Sequence, residues 1–459
     1  MWLLIPILIY CIVFLYVRHM FIYWQLKGFP CEKSALTPKF IKLVLHRKFQ
    51  LLQAVSEDYK LGRGQRVFGI YLFFKPTLLV LNIELARHIL DKCERFFHEH
   101  KCDHRHVYKK FNLLGKIRPG FTRELCRDMF KCVESVADNM LNHLADYSND
   151  IIGSLVYGLN INSFKFPDNI FHQNITKLRQ SNFFPNSTRL RQLLQETIKH
   201  RELKSTVRYD ILQLFIKLRN TQFISDKTDT IWNIELVPGM KVLEKFLSMT
   251  SVVDLAEELM TIGLEPITKT AVYTLLEVLQ QPVVLNNILQ EIKDTQKLHQ
   301  LSGEQLNYEA LEELLYLDMC IKETLRIYPV TPLLRRVCSR NYRIPDTSLV
   351  LEKGCNIMIP IREIQRDEWH FMEPLLYKPE RFQQKNGHEA HKAYFAYGLG
   401  AQDCLVQPLA NVVIKVVLTK LLLRYKLEPD VKAHTDAAKK CCKINLQCWK
   451  LLENLPLAH

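Results

Sequence analysis

The chain has 459 residues and a formal net charge of +14 at neutral pH. Its 48% hydrophobic and 24% charged residues are typical of a globular protein, which excludes a disordered, a collagenous and a multi-spanning membrane protein. The 15 glycines are too few for Gly-rich repeats or a turn-dense β fold, and the length is sufficient to bury a large core.

The N-terminal segment begins with an uncharged apolar run at residues 2–17. Arg18 can extend its side chain to the membrane interface, so that the apolar stretch continues to Trp24 with an aromatic belt at its end. A cleavable signal peptide is the alternative, but no basic region precedes the run and no small-residue cleavage site follows it. Basic residues after the run place the body of the protein in the cytosol. We therefore expect a membrane anchor at residues 1–24, a hinge at 25–40 and a single large domain at 41–459.

The thirteen cysteines are scattered without the spacing of a disulfide framework. A chain that faces the reducing cytosol keeps its thiols reduced, so we expect no disulfides. Cysteine and histidine side chains crowd the segment from Cys93 to His106, where a zinc site is conceivable. Their spacing fits no tetrahedral template, and a solvated, pH-sensitive loop is the favoured interpretation.

The body of the chain is predicted to be mostly α with a minor β portion. Residues 71–80 suggest strands interrupted by Pro76, and further β-like segments follow residue 335. Apolar residues at three- and four-residue spacing predict helices at 251–280, 283–294, 309–328 and 408–425. In the last of these, six apolar residues define one face: Leu409, Val412, Val413, Val416, Val417 and Leu421.

The segment from Phe395 to Cys404 is the most informative for chemistry. Gly398 and Gly400 give its loop conformational freedom, and Cys404 comes just before the last predicted helix. Helix N-terminal amides stabilise a thiolate, which is the form of cysteine that binds a metal. An isolated cysteine in a loop is more often an inert buried thiol, so the surrounding motifs have to decide between the two interpretations.

This segment resembles the haem-binding loop of cytochromes P450, and two other segments resemble motifs of the same family in the same order. Lys322–Pro329 contains Glu323 and Arg326, and Tyr377–Phe382 contains Arg381 in a Pro-Glu-Arg-Phe sequence. Glu323 and Arg326 are three residues apart on one helix face, where they could also be a simple exposed ion pair. The resemblance implies a buried network of all three charges with a structural role.

The resemblance is to the microsomal type, and to the insect branch that metabolises xenobiotics or hormones, with this chain as a divergent member. It implies a P450 fold and a haem b cofactor with Cys404 as the axial iron ligand. Phe395, Gly398, Gly400 and Gln402 would belong to the cofactor-binding loop. Arg336 matches an arginine that binds a haem propionate.

The implied reaction is the insertion of one oxygen atom of O2 into a lipophilic small molecule. The chain has no Walker loop or dinucleotide fingerprint, so its electrons would come from a separate protein, NADPH-cytochrome P450 reductase, with cytochrome b5 as a second donor. The implied location is the endoplasmic reticulum membrane, facing the cytosol. The positive charge then serves lipid headgroups and an acidic redox partner, and not nucleic acid, because no basic stripe with interleaved aromatic residues is present.

Several positions depart from the family pattern. Family members carry an acid followed by an alcohol on a helix over the haem, and this pair relays protons during O2 activation. Here the acid is Glu265, the predicted catalytic residue, but Pro266 replaces the alcohol. Gln402 replaces a basic residue, Val406 replaces a glycine, and most of a tryptophan-containing helix is missing after Gly115. The alternative function is therefore a non-catalytic or weakly active P450-like haem protein.

Overall fold

The computed structural model divides the chain into two compact units. The sheet unit comprises residues 1–102 and 325–404, and the helix unit comprises residues 103–324 and 405–459. The structure describes residues 15, 22–31, 51–72, 75–91, 96–98, 150–151, 153–159, 163, 166, 168–171, 173–175, 188–208, 210–221, 248–301, 306–345, 347–383, 387–400, 403–404, 407–424, 427–429 and 449–451.

Helices dominate the described residues and strands are short, which confirms the predicted class of mostly α with a minor β portion. The helices are α1 (Tyr23–Leu26), α2 (Leu51–Leu61), α3 (Ile83–Asp91), α4 (Thr188–Lys204), α5 (Ile211–Thr221), α6 (Met249–Leu279), α7 (Pro282–Leu298), α8 (Tyr308–Glu313), α9 (Leu315–Ile327), α10 (Ile361–Gln365), α11 (Gly387–Lys392) and α12 (Gln407–Arg424), with a 3₁₀ turn at Pro379–Phe382. The strands are β1 (Val67–Leu72), β2 (Lys75–Val80), β3 (Phe97–His98), β4 (Leu334–Cys338), β5 (Tyr342–Arg343), β6 (Val350–Leu351), β7 (Asn356–Ile359), β8 (Leu427–Pro429) and β9 (Trp449–Leu451).

The sheet unit contains a mixed five-stranded sheet with the order β1-β2-β7-β4-β3. β1 and β2 form an antiparallel hairpin, and β7 joins β2 in parallel. Pro76 does not interrupt the strands as the sequence suggested, because it is the second residue of β2 and lies opposite Tyr71. The ladder to β7 begins only at Thr77. Proline is therefore placed at a strand end, where its missing N–H is tolerated.

The segment of residues 22–31 is packed onto the sheet unit. Trp24 is 1% exposed, and its indole Nε1 donates to the carbonyl of Ile70 at 3.0 Å. Gly69 provides the space, since a Cβ atom there would lie 2.4 Å from the indole ring. The amide of Gly69 in turn donates to the carbonyl of Pro30 at 2.7 Å. Trp24 was expected to close the anchor as part of an aromatic belt; that placement is wrong, because a core position opposite a glycine accommodates its ring.

Most of the predicted anchor, and residues 32–40 of the predicted hinge, lie outside the described residues. Within the ranges given above, no helix combines the length and the apolar character that a membrane crossing requires. The crowd of cysteines and histidines near Cys93 also lies largely outside these ranges. Among the residues that are described, no group of three or more His, Cys, Asp or Glu side chains could hold a metal ion.

The helix unit is organised around α6, which contacts α4, α5, α7 and α12. Its N-terminus is capped by Ser248, whose side chain accepts the amide of Ser251 at 3.0 Å. The predicted helices at 251–280 and 283–294 are confirmed as α6 and α7, with Pro282 in the first turn of α7.

The other two predicted helices differ from expectation. The predicted helix at 309–328 is divided at Leu314 into α8 and α9. The predicted helix at 408–425 is confirmed as α12, but it is buried on nearly every side and not on one apolar face. Lys415, within it, donates to the carbonyl of Leu311 at 2.6 Å and pairs with Asp318 at 3.0 Å. These partners allow a charged residue to occupy a buried helix face.

Candidate functional site

Cys404 ends a loop that is held together by backbone hydrogen bonds. The amide of Cys404 donates to the carbonyl of Tyr397 at 2.7 Å, and the amide of Gly398 donates to the carbonyl of Phe395 at 2.8 Å. Cys404 is half-buried and its thiol forms no disulfide. Along the chain, α12 begins three residues later. Backbone hydrogen bonds therefore connect Cys404 to the beginning of its loop, and its thiol is in the reduced form.

The two glycines of this loop adopt conformations that other residues rarely reach. Gly398 has φ +73° and Gly400 has φ +69°, both in the left-handed region. Gly400 also approaches the end of α3 closely. A Cβ atom at this position would lie 2.8 Å from the carbonyl oxygen of Leu90 and 2.9 Å from Cα of Asp91. Glycine at 400 is thus required by both backbone conformation and space.

Gln365 anchors the beginning of the loop and was not predicted from the sequence. It is fully buried at the end of α10, and its Oε1 accepts the amide of Phe395 at 2.8 Å. Its Nε2 donates to the carbonyls of Leu325 and Arg326 at 3.1 and 2.9 Å. The side chain therefore connects the loop of Cys404 to the end of α9. A single glutamine has no characteristic spacing, so no sequence signal identified it.

The arginines of the two other motifs meet on one backbone carbonyl. Arg326 is fully buried, donates from Nη1 to the carbonyl of Gln365 at 2.7 Å and lies over the ring of Phe371 at 4.9 Å. The Nη2 atoms of Arg326 and Arg381 each lie 3.5 Å from the carbonyl oxygen of Leu376. Arg381 also donates to the carbonyl of Glu373 at 2.8 Å.

Burial distinguishes the members of this predicted network. Glu323 and Arg326 are both 0% exposed, so they are not an exposed ion pair on a helix surface. Arg381 is only half-buried, whereas the resemblance implied that all three charged residues are buried. Both Arg326 and Arg381 donate to backbone carbonyls, which is consistent with a structural role.

Arg336 lies on β4, opposite Ile357 of β7, and is 1% exposed. Its Nη1 donates to the carbonyl of Arg335 at 2.8 Å, while its Nη2 is enclosed without a hydrogen-bond acceptor among the described residues. A buried guanidinium suits a carboxylate, because Arg presents two parallel donors to two oxygens. The predicted propionate-binding residue is thus placed inside the sheet unit.

Glu265 and Pro266 lie within α6, which continues through the proline to Leu279. Proline has no N–H, so the helix lacks one internal hydrogen bond there. One turn later, the hydroxyl of Thr270 donates to the carbonyl of Pro266 at 2.8 Å. Thr274 continues this pattern by donating to the carbonyl of Thr270 at 2.8 Å. Such bonds from a threonine to the carbonyl four residues earlier often bend a helix.

The described residues of the candidate site suit a haem better than a metal ion with four tetrahedral protein ligands. Cys404 contributes one half-buried thiol that forms no disulfide, and the same unit contains the buried guanidinium of Arg336. One thiolate and one buried cation suit an iron porphyrin with acidic propionates, whereas zinc in a structural site takes four ligands. Gln402, Val406 and the segment after Gly115 lie outside the described residues.

Comparisons with known proteins extend this agreement along the chain. A family model for cytochrome P450 matches residues 111–444. The chain is 37% identical to the probable cytochrome P450 310a1 of Drosophila melanogaster, over 94% of this chain and 92% of that protein. It is 32% identical to cytochrome P450 6d1 of Musca domestica, over 88% and 90% of the two chains. It is also 26% identical to cytochrome P450 6k1 of Blattella germanica, over 91% of this chain and 89% of that protein.

Proposed function

This chain belongs to the insect branch of the cytochrome P450 family, and we propose that it oxygenates lipophilic small molecules at a haem bound by Cys404. Members of this family are haem monooxygenases with a cysteine thiolate on the iron. The substrates would be xenobiotics, insecticides, or hormones and other lipids. The observation that carries the proposal is the closed loop that presents the reduced, half-buried Cys404.

Each predicted site residue has a proposed task. Cys404 would ligate the iron through Sγ, and the loop of Phe395, Gly398 and Gly400 would fix its position. Arg336 and Gln402 would bind the propionates, one as a buried cation and the other as a neutral donor. Bound haem supplies the iron at which O2 is activated.

Glu265 is proposed to deliver protons during the reaction. A carboxyl group can hold a proton and pass it to a reacting oxygen when it is positioned within hydrogen-bond reach. Pro266 offers no hydroxyl for this purpose, so the carboxyl of Glu265 and ordered water would have to act without the usual neighbouring alcohol.

A reduced-CO difference spectrum of the purified full-length protein tests haem-thiolate binding. We expect haem uptake and the band that is typical of thiolate-ligated haem, and we expect Cys404→Ala to lose that band. Cys355→Ala is the matched control, since Cys355 is another half-buried free cysteine of the same unit. Absence of haem from the wild type, or an unchanged band in Cys404→Ala, would overturn the proposal.

Electron supply and location form the second part of the proposal. NADPH-cytochrome P450 reductase, with cytochrome b5 as an additional donor, would supply electrons on the cytosolic face of the endoplasmic reticulum membrane. The apolar run at residues 2–17 and the net charge of +14 support this environment. Oxygenated product should form when reductase, NADPH and a panel of lipophilic compounds are combined with the protein, and fractionation should recover the chain with microsomes.

Pro266 favours a second candidate function, a weakly active or non-catalytic haem protein of the same family. The hydroxyl of Thr270 on the same helix is already bonded to the carbonyl of Pro266, so it does not simply replace the missing alcohol. The ratio of product formed to NADPH consumed separates the two functions. A ratio near zero for every compound tested, despite a normal CO spectrum, would favour the second candidate.

A further inference from the structure

A cleft of about 460 Å³ opens at one end of the five-stranded sheet, and no residue of the loop of Cys404 lines it. This volume is within the usual range for small-molecule sites, about 300–1,000 Å³. Its wall combines Tyr23 with the start of β2 and the turn before β7. The charged or polar residues that line the cleft include Tyr23, Lys75, Glu352 and Lys353.

The cleft has an excess of positive charge. Lys75 and Lys353 are exposed in its wall, and among the described residues neither has a carboxylate within salt-bridge distance. Glu352 is already neutralised, because it pairs with Lys27 and accepts the hydroxyl of Tyr23 at 3.0 Å. These contacts hold the pKa of the Glu352 carboxyl below its usual range. Three lysines and one glutamate leave a local charge of +2, which suits an anion.

The position of the cleft indicates which anion it meets. Tyr23 contributes to its wall, and Trp24 fixes this segment to the sheet through the Ile70 carbonyl. The apolar run ends at Val17, five residues before Ile22. Five residues span at most about 18 Å even when fully extended. If the run enters a bilayer, the cleft therefore lies close to the headgroups of that bilayer.

We propose that this cleft binds the phosphate group of an anionic membrane phospholipid, with Lys75 and Lys353 as its cationic contacts. The headgroup would fix the orientation of the sheet unit on the membrane that the N-terminal run enters. This inference rests on the proposed membrane anchor, and it is independent of haem binding and of turnover. Lys60, which is exposed at the end of α2 and leads into the opposite end of β1, would be unaffected.

Lysine acetylation followed by mass spectrometry tests the proposal on the full-length protein in lipid nanodiscs. One set of discs contains phosphatidylcholine alone, and the other also contains phosphatidylserine. We expect Lys75 and Lys353 to be acetylated about fivefold more slowly in the anionic discs, as the attraction between one lysine and an anionic surface implies. Lys60 should react equally in both. Equal rates at Lys75 and Lys353, or equal protection of Lys60, would overturn the proposal.

Two further arms identify the ligand and the site. In Lys75→Gln protein, the lipid-dependent protection of Lys353 should be lost, whereas Lys60→Gln should leave that protection unchanged. If Lys353 is still protected in Lys75→Gln protein, the two lysines do not share a headgroup and the proposed site is wrong. Inorganic phosphate added to the protein in detergent should give little protection, and full protection there would replace the lipid with a soluble anion. Failure of the chain to enter nanodiscs would refute the anchor, and this inference with it, while leaving the CO spectrum unaffected.

Discussion

At the scale of single residues, the loop of Cys404 depends on a glycine that cannot be replaced without strain. Gly400 combines a φ of +69° with a close approach to the carbonyl of Leu90. Gly354 has a φ of +87° as well, but a Cβ atom there would meet nothing within 4 Å. The two positions therefore separate the cost of backbone conformation from the cost of a steric clash.

Gly400→Ala should lower the free energy of unfolding by more than Gly354→Ala does. We expect a loss of about 1–2 kcal/mol at Gly354, where only the left-handed conformation opposes a side chain. At Gly400 we expect about 1–3 kcal/mol more, because the backbone of α3 cannot move away as easily as a flexible side chain. Urea unfolding measures both values, and the haem content of purified protein reports the loop itself. Equal losses at the two positions would contradict the assigned contact with Leu90.

At the scale of secondary structure elements, α6 contains Pro266 at the position where the resemblance to the P450 family leads us to expect an alcohol. Pro266→Thr restores both a backbone N–H and a hydroxyl, whereas Pro266→Ala restores the N–H alone. Both variants should gain up to about 3 kcal/mol of unfolding free energy, because a proline inside a helix costs about that much relative to alanine. Only Pro266→Thr should raise the ratio of product to NADPH consumed. The proton-relay explanation fails if that ratio is unchanged in Pro266→Thr or rises equally in both.

The boundary between α8 and α9 depends on a carboxylate from another helix. Glu291 of α7 accepts the amides of Tyr316 and Leu317 at 2.6 and 3.0 Å, in the first turn of α9. Glu291→Ala should lower the free energy of unfolding by about 1–3 kcal/mol, since it removes the acceptor of two helix N-terminal donors. Urea unfolding measures the loss. The exposed Gln290 on the same helix is the control, and Gln290→Ala should have an effect below about 0.5 kcal/mol.

The same residue predicts a dependence on pH. Burial is the main cause that raises the pKa of the Glu291 carboxyl, so the folded chain keeps this proton to higher pH than the unfolded chain does. The stability that this proton contributes is complete below the ordinary carboxyl range and is lost as pH rises through the raised pKa. As pH rises above the ordinary carboxyl range, wild-type stability should therefore fall relative to Glu291→Gln. An equal slope in the two proteins would contradict the raised pKa.

The helices show what local sequence patterns can and cannot predict. Spacing of apolar residues predicted α6, α7 and α12, because each packs a long apolar surface into the core. The same spacing predicted one helix where α8 and α9 are two. The break at Leu314 depends on Glu291, which lies more than twenty residues away, and local periodicity does not include such a contact.

In the candidate site, too, local motifs were predictable from the sequence and long-range contacts were not. Cys404 and its glycines were predicted because they form one contiguous segment that resembles the haem-binding loop of the P450 family. Gln365 was missed, because its role is to join three backbone groups that only the folded chain brings together. Trp24 was assigned to the membrane interface because it ends the apolar N-terminal stretch, but its ring is buried against Gly69. Contiguous motifs are predictable from sequence, and tertiary hydrogen bonds are not.

At the scale of the whole molecule, the net charge of +14 should control the encounter with an electron donor. A basic protein attracts an acidic flavoprotein electrostatically, and added salt shortens the range of this attraction. The Debye length falls from about 30 Å at 0.01 M to about 8 Å at 0.15 M ionic strength. Such attraction mainly raises the association rate and contributes less to the contacts that persist in the complex.

Turnover with limiting reductase should therefore slow as ionic strength rises from about 0.01 M to about 0.15 M. The expected change is several-fold or more in the apparent association rate, measured as the initial rate of NADPH-dependent reduction of the haem under CO. Chemical reduction of the same sample by dithionite is the control, since it requires no docking between proteins and should yield the same final band at either salt concentration. A reduction rate that is independent of salt would mean that the net charge does not steer this encounter. The charge would then be of use mainly at the lipid surface, where the acetylation of Lys75 and Lys353 reports it separately.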